Sequence, residues 1–262
     1  MFAFFEWTAW AMEKPAAYGL FHILVTLGLL AATVAGAYAL RHTTDRQNRI
    51  VLGCVGGFLL LTEVYKIGFH MTVNPYDWGF WGAFPFQLCS VPMYLCILCA
   101  LCKNERVNRW MYEGMFAVNM VGGIMAFVEP SGIQHGFVTL TFHAYIWHML
   151  LIFLGLYLFM SRRACTDRFS YLRAMGMYFI VAAVAQGCNL IFGDKINCFY
   201  ISPYKQSPLA VFKDIYASAG WLANMLLMFL AIALASALVC GIGYAIRRRG
   251  EKKAVQKQTT TV

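Results

Sequence analysis

Residues 15–40 read PAAYGLFHILVTLGLLAATVAGAYAL, and no charged side chain interrupts them. A helix rises 1.5 Å per residue, so about 20 apolar residues cross the hydrocarbon core of a bilayer. This stretch is long enough to cross and too long for the apolar core of a cleavable signal peptide, so it reads as a first membrane helix. The segment ahead of it, with Phe2, Phe4, Phe5, Trp7 and Trp10, has the aromatic character of a membrane interface.

Six further stretches repeat the pattern, and with Tyr18–Leu40 they are Ile50–His70, Ala83–Cys102, Trp110–Val128, Phe137–Met160, Tyr171–Phe192 and Ala219–Tyr244. The chain of 262 residues is 60% hydrophobic and 13% charged, whereas soluble domains are about 25% charged. Its charges fall in clusters between the apolar stretches, which suits one bilayer-embedded unit and not a soluble surface. The expectation is an all-α membrane protein, a bundle of about seven transmembrane helices. Residues 1–246 form the single transmembrane domain and residues 247–262 a basic tail.

Loop charges give the orientation. Arg41, Arg46 and Arg49 follow the first span, Lys103, Arg106 and Arg109 the third, and Arg162, Arg163, Arg168 and Arg173 the fifth. Arg247, Arg248, Arg249, Lys252, Lys253 and Lys257 follow the last. Basic loops stay in the cytoplasm, so the N-terminus is expected outside and the C-terminus inside the cell membrane. These clusters account for the net charge of +9 and match anionic lipid headgroups, with no nucleic acid required. The even-numbered loops differ in kind. Asn74-Pro75-Tyr76-Asp77-Trp78 through Trp81, and Asn197 through Pro208, combine turn residues with interfacial aromatics.

The nine cysteines lack the paired loop spacing of a disulfide framework. Cys96, Cys99 and Cys102 have the spacing of a cluster-ligand run, but on a helix each successive thiol is rotated about 300° from the last. Cys102 beside Lys103 is a better candidate for palmitoylation.

With this topology, polar side chains of four spans fall at one depth, in the outer half, while the inner halves stay apolar. They are Glu63, Lys66 and His70; Gln87, Cys89 and Ser90; His143 and His148; and Gln186 and Asn189. Singly, each has a structural explanation. Glu63 and Lys66 at i and i+3 neutralise each other, and Gln186 and Asn189 act as interhelical hydrogen-bond glue. Together they mark a working site, because ionisable groups in a bilayer are costly. Cys89 stands apart from the other cysteines. Pro85 suits the first position of a helix, which sets Cys89 one turn in, where the helix dipole favours a thiolate. Pro92 leaves the Leu88 carbonyl without its helical donor. A cysteine nucleophile needs a base, and His143 and His148 stand at a suitable depth. They are rotated about 140° apart, so one is expected to face the site and the other a neighbour.

The run Phe84-Pro85-Phe86-Gln87-Leu88-Cys89 resembles the Leu-Pro-Leu-His-Leu-Cys element of the YwaF-like bacterial membrane proteins. Tyr145-Ile146-Trp147-His148 is similar to their aromatic stretch ending in histidine, Glu63 matches an acidic position, and Asn197 begins a similar loop before the last helix. Gln87 departs from the histidine of many relatives, so no base stands there. The family's eukaryotic relatives include a membrane acyltransferase that remodels ether phospholipids through a cysteine. The resemblance implies Cys89 as nucleophile and His148 as general base, with membrane lipids as partners and no cofactor. Supporting roles fall to Glu63 orienting His148, Gln87 or Asn189 donating to the oxyanion, and Lys66 meeting the lipid phosphate. A transporter or receptor binding a small polar ligand in the same cavity is the competing class. A zinc site of Cys89, His143 and His148 is disfavoured by the five-residue histidine spacing.

Overall fold

The computed structural model describes residues 2–75 and 79–260. The Tyr76–Trp78 part of the aromatic loop expected after the second span lies outside them. The regular structure of the described residues is helical, with one isolated bridge between Ala11 and Phe137. In chain order the helices are α1 (Phe2–Trp7), α2 (Leu20–Ala39), α3 (Asp45–Thr72), α4 (Val91–Leu101), α5 (Glu105–Gly114), α6 (Met120–Val128), α7 (Val138–Met160), α8 (Ser170–Phe192) and α9 (Ala210–Thr260). A π-helical turn, Met115–Asn119, joins α5 to α6, and α9 is broken at Gly220, whose φ is +82°.

Among the described residues, six helices are long and apolar enough to cross a membrane: α2, α3, the continuous α5–α6 rod, α7, α8 and α9. The protein is an integral, multi-pass membrane protein. Large apolar side chains such as Leu20, Leu24, Leu61 and Leu234 stay exposed on the bundle, as a lipid-facing surface requires.

The third expected span is the exception. In place of a helix over Ala83–Cys102, the chain forms a 3-10 turn at Gly79–Ala83, irregular backbone, a second 3-10 turn at Leu88–Ser90, and then α4. Pro85 is therefore not the first residue of a helix; the proline in the first turn of α4 is Pro92, its second residue. A proline disfavours helical φ/ψ in the residue before it, so Pro85 keeps Phe84 out of a helix and delays the start. Irregular backbone at membrane depth must have its polar groups satisfied by protein. Here the Pro85 carbonyl accepts from Tyr94 Oη at 2.7 Å, the Leu88 carbonyl from Asn119 Nδ2 at 3.0 Å, and the Cys89 carbonyl from Trp147 Nε1 at 2.9 Å.

The loops sort into two ends. Arg163 binds Asp45 at 2.6 Å and the Thr43 carbonyl at 2.9 Å, Arg109 binds Asp167 at 2.8 Å, and Arg247 donates to the Ala164 carbonyl at 2.7 Å. The basic loops thus meet one another. At the opposite end, the Met12 N–H donates to the Gly136 carbonyl at 2.9 Å and Gln87 to the Asn197 carbonyl at 2.8 Å.

The basic end is not apolar inside, contrary to expectation. Glu113, 0% exposed, accepts from the Cys165 N–H and Ser170 Oγ, each at 2.8 Å, and from Arg173 at 3.4 Å. Beside it, Asn48 donates to Tyr112 Oη and accepts from Tyr157 Oη, both at 2.9 Å. These groups sit near helix ends, where a polar residue reads as loop; their pairing across helices has no sequence period.

Small residues let the helices close on each other. A Cβ at Gly123 of α6 would stand 2.8 Å from the His148 carbonyl, and one at Gly56 of α3 would stand 2.9 Å from Ile97 of α4. The first of these approaches seats α6 against the histidine-bearing helix.

Candidate functional site

A cavity of about 390 Å³ opens at the end away from the basic loops. Helix α3 contributes Glu63, Lys66 and His70; the irregular stretch contributes Gln87, Cys89 and Ser90; α7 contributes His143, Trp147 and His148. His135 and the loop residues Lys195, Asn197, Cys198, Tyr200 and Lys205 complete the wall. The cavity brings together every candidate site residue read from the sequence except Gln186 and Asn189.

Cys89 is half-buried, in the 3-10 turn and not one turn into an α-helix. Its backbone is held on both sides by the Asn119 and Trp147 bonds described above. Asn119 ends the π-helical turn. A π-turn carries one extra residue and so re-aims the side chains that follow, a device frequent at functional sites.

His148 Nδ1 lies 2.8 Å from the Ala144 carbonyl. A carbonyl only accepts, so Nδ1 carries the proton and Nε2 keeps its lone pair. His143 packs against Trp147 with ring centroids 5.4 Å apart and planes tilted by 30°, and its Nε2 is buried without a partner among the described residues. Both histidines line the cavity. Their angular separation therefore spreads them around its wall and does not exclude one of them.

Glu63 is 2% exposed. Its Oε1 accepts from Lys66 Nζ at 2.6 Å, while Oε2 is buried without a hydrogen-bond partner among the described residues. Lys66 Nζ also stands 6.0 Å from the centroid of the Trp147 ring, within cation–π range. Lys66 is thus engaged on two sides.

Amide side chains fasten the 193–208 segment over the cavity. Gln87 Nε2 donates to the Asn197 carbonyl at 2.8 Å, and Gln87 Oε1 accepts from the Phe199 N–H at 3.0 Å. Asn189 Oδ1 accepts from the Cys198 N–H at 2.7 Å; its Nδ2 donates to the Cys198 carbonyl at 3.1 Å and to Gln186 Oε1 at 3.3 Å. Asn224 donates to the Tyr200 carbonyl at 2.9 Å. The clamp holds a strained backbone, since Phe199 and Tyr200 both have φ of +57°, a region bulky side chains avoid. Asn189, 0% exposed with both amide protons engaged, is placed as a fastener. Gln87 lines the cavity and retains one N–H beyond its bond to Asn197.

Two loop groups at the cavity are held neutral. Burial, with smaller contributions from His70, Lys14, Lys66 and His148, lowers the His135 pKa to about 4. Burial, aided by Cys188, pushes the Cys198 thiol up to about 12, so Cys198 is a poor nucleophile beside Cys89. Among the described residues, no group of three or more His, Cys, Asp or Glu side chains is placed to hold a metal ion.

Sequence reading missed Asn119, His135, Asn224 and the two loop lysines. Asn119 carried a signal, being an amide inside an apolar span. The others sit in loops or within the long last helix, where polarity is unremarkable.

A family model described as the TMEM164 family matches residues 15–257. No curated protein and no solved structure matches the chain.

Proposed function

We propose that this chain, which belongs to the TMEM164 family, is a lipid-active membrane enzyme that moves an acyl group between phospholipid and lysolipid on Cys89. The observation that carries the reading is the shared cavity. A half-buried thiol and a histidine with a free Nε2 both face it, beside a buried carboxylate. The YwaF-like resemblance of the Phe84–Cys89 element supports the same chemistry.

In the first half-reaction His148 Nε2 takes the thiol proton as Cys89 Sγ attacks the ester carbonyl. The C–O bond then breaks, and the proton passes from Nε2 to the leaving alkoxide, giving a lysolipid and an acyl-thioester. In the second, a lysolipid hydroxyl gives its proton to Nε2 and attacks the thioester, and Sγ leaves and is reprotonated. Water in place of that hydroxyl makes the outcome hydrolysis. Glu63 balances the charge of Lys66 beside the histidines, and the remaining Gln87 N–H is a donor for the oxyanion. A cavity of about 390 Å³ is near the lower end of sites for drug-sized ligands. It takes a headgroup and an ester while the acyl chains stay in the bilayer, which favours two successive half-reactions.

The finer topology belongs to the same proposal. The short apolar helix Leu88–Leu101, extended by the irregular stretch before it, completes a seventh crossing. The basic loops lie in the cytoplasm and the cavity opens in the outer half of the membrane.

The test compares native protein with Cys89→Ala and Cys89→Ser in membranes, by lipid analysis and by labelling with an amphiphilic electrophile. Lipid turnover and the main label should both vanish with Cys89. An inert Cys89, with turnover unchanged after its replacement, would sink the enzyme reading and leave a transporter or receptor for a small polar ligand.

A further inference from the structure

We infer that Lys195 and Lys205 form a phosphate-binding rim at the cavity, a role that rests on the acyl-transfer reading for the lipid origin of the phosphate. The argument begins with charge. The cavity is lined by Lys66, Lys195 and Lys205 against a single carboxylate, Glu63. Lys66 and Glu63 neutralise each other at 2.6 Å. Neither loop lysine is in an ion pair among the described residues. Asp194 and Asp214, the acids nearest in sequence to Lys195 and Lys205, are exposed and are not part of the wall. The cavity therefore carries two uncompensated positive charges, both on its loop side.

The rim is built, not incidental. Asn197 Nδ2 donates to the Lys205 carbonyl at 3.2 Å and to the Gln206 carbonyl at 3.0 Å. Its own carbonyl is held by Gln87. Lys195 closes the 3-10 turn Gly193–Lys195, just before Asn197. The Asn197 side chain thus fastens the Lys205 backbone to the residue two positions after Lys195, and the Gln87 bond ties that edge to the stretch bearing Cys89. Lys195 is exposed and Lys205 half-buried, so their ammonium groups remain hydrated until an anion arrives.

The chemistry favours phosphate. Lysines bind phosphate as point charges and need no planar fork. In a glycerophospholipid the phosphate lies a few bonds from the ester carbonyl, so a phosphate on the rim holds the ester inside the cavity toward Cys89. This replaces Lys66 as the phosphate partner and frees it to balance Glu63.

Binding is measured on the full-length Cys89→Ala protein in an uncharged maltoside detergent, by fluorescence of Trp81 and Trp147, which line the cavity. The probes are lysophosphatidylglycerol, monoacylglycerol of the same chain length, and inorganic phosphate. Lysophosphatidylglycerol should bind about tenfold tighter than monoacylglycerol, the scale of one charge-assisted hydrogen bond. K195Q/K205Q should bring the ratio to near one, and K195R/K205R should keep it; the single variants K195Q and K205Q substitute if the double variant fails to fold. Equal binding of the two lipids, or a preference that survives loss of both lysines, overturns the inference. Lysine-dependent binding of inorganic phosphate as tight as that of the lysolipid overturns its lipid source. Turnover plays no part in this assay. Failure of the acyl-transfer reading would show instead as Cys89-independent lipid turnover in the native protein.

Discussion

The indole N–H of Trp147 donates to the carbonyl of Cys89 at 2.9 Å, so the helix that carries His148 also fixes the backbone that carries the thiol. Nucleophile and base are held in one frame without a direct bond between them. Trp147→Phe keeps an aromatic ring against His143 but leaves the Cys89 carbonyl unpaired. Turnover should fall on the order of tenfold to a hundredfold, as expected for a misplaced reacting group, and electrophile labelling of Cys89 should change with it. Unchanged rates in both assays would reduce the bond to packing.

Asn119 tests the same frame from the other side. Asn119→Ala strips the donor from the Leu88 carbonyl, which Pro92 cannot serve. A buried carbonyl left without a partner costs about 1–3 kcal/mol. The thermal midpoint of the solubilised protein should drop accordingly. Asn119→Asp should cost more, because a carboxylate would face the carbonyl oxygen. A variant as stable as the native protein would show that water fills the gap.

The clamp on the 193–208 segment predicts a local effect. Gln87→Glu keeps an acceptor for the Phe199 N–H but sets an oxygen against the Asn197 carbonyl, now 2.8 Å from the Gln87 amide nitrogen. With Phe199 and Tyr200 already strained, the segment should open first. Hydrogen exchange and proteolysis should accelerate over residues 197–206 with little change in α2 or α7. Uniform acceleration would point to global destabilisation instead.

The basic end offers a test that leaves the cavity untouched. Glu113 gathers the Cys165 N–H, Ser170 and Arg173. Glu113→Ala takes one of two carboxylate partners from Arg173 and leaves the Cys165 N–H and Ser170 Oγ without their acceptor. Removing one partner of a buried pair costs about 3–5 kcal/mol, reduced here because Arg173 also binds Asp167 at 2.6 Å. The variant should accumulate poorly, while what does fold should keep its Cys89 labelling.

These contrasts show what the sequence reveals. Hydropathy placed most spans within a few residues of the helices, because the bilayer sets a length and tolerates few charges. The cost of ions in lipid also singled out Glu63, Lys66 and His148, which do share a wall with Cys89. The third span was overread because its composition is apolar while two prolines deny it a full helix. Gln87 and Asn189 were read as oxyanion donors because an amide has the right chemistry. Only the folded chain shows that Asn189 engages both amide protons with Cys198 and Gln186, while Gln87 grips Asn197 and Phe199 with one N–H to spare. Direction of reach is a tertiary property, and neither composition nor period encodes it.

His135 gives the pH dependence. It lies in the loop before α7, its N–H donating to Thr141 Oγ1 at 3.0 Å and its carbonyl accepting from the same hydroxyl at 3.1 Å. Its pKa falls from 6.5 to about 4, chiefly through burial and then through the nearby His70, Lys14, Lys66 and His148. A depressed histidine pKa means that the unfolded chain binds the proton more readily than the folded one. Stability is therefore lost as pH falls below the unfolded value near 6.5, and this contribution levels off below about 4. The solubilised protein should melt progressively lower from pH 7 to pH 5. His135→Gln, neutral throughout, should flatten that slope even if it shifts the whole curve. An unchanged slope in His135→Gln would assign the acid sensitivity to other groups and remove His135 from the account.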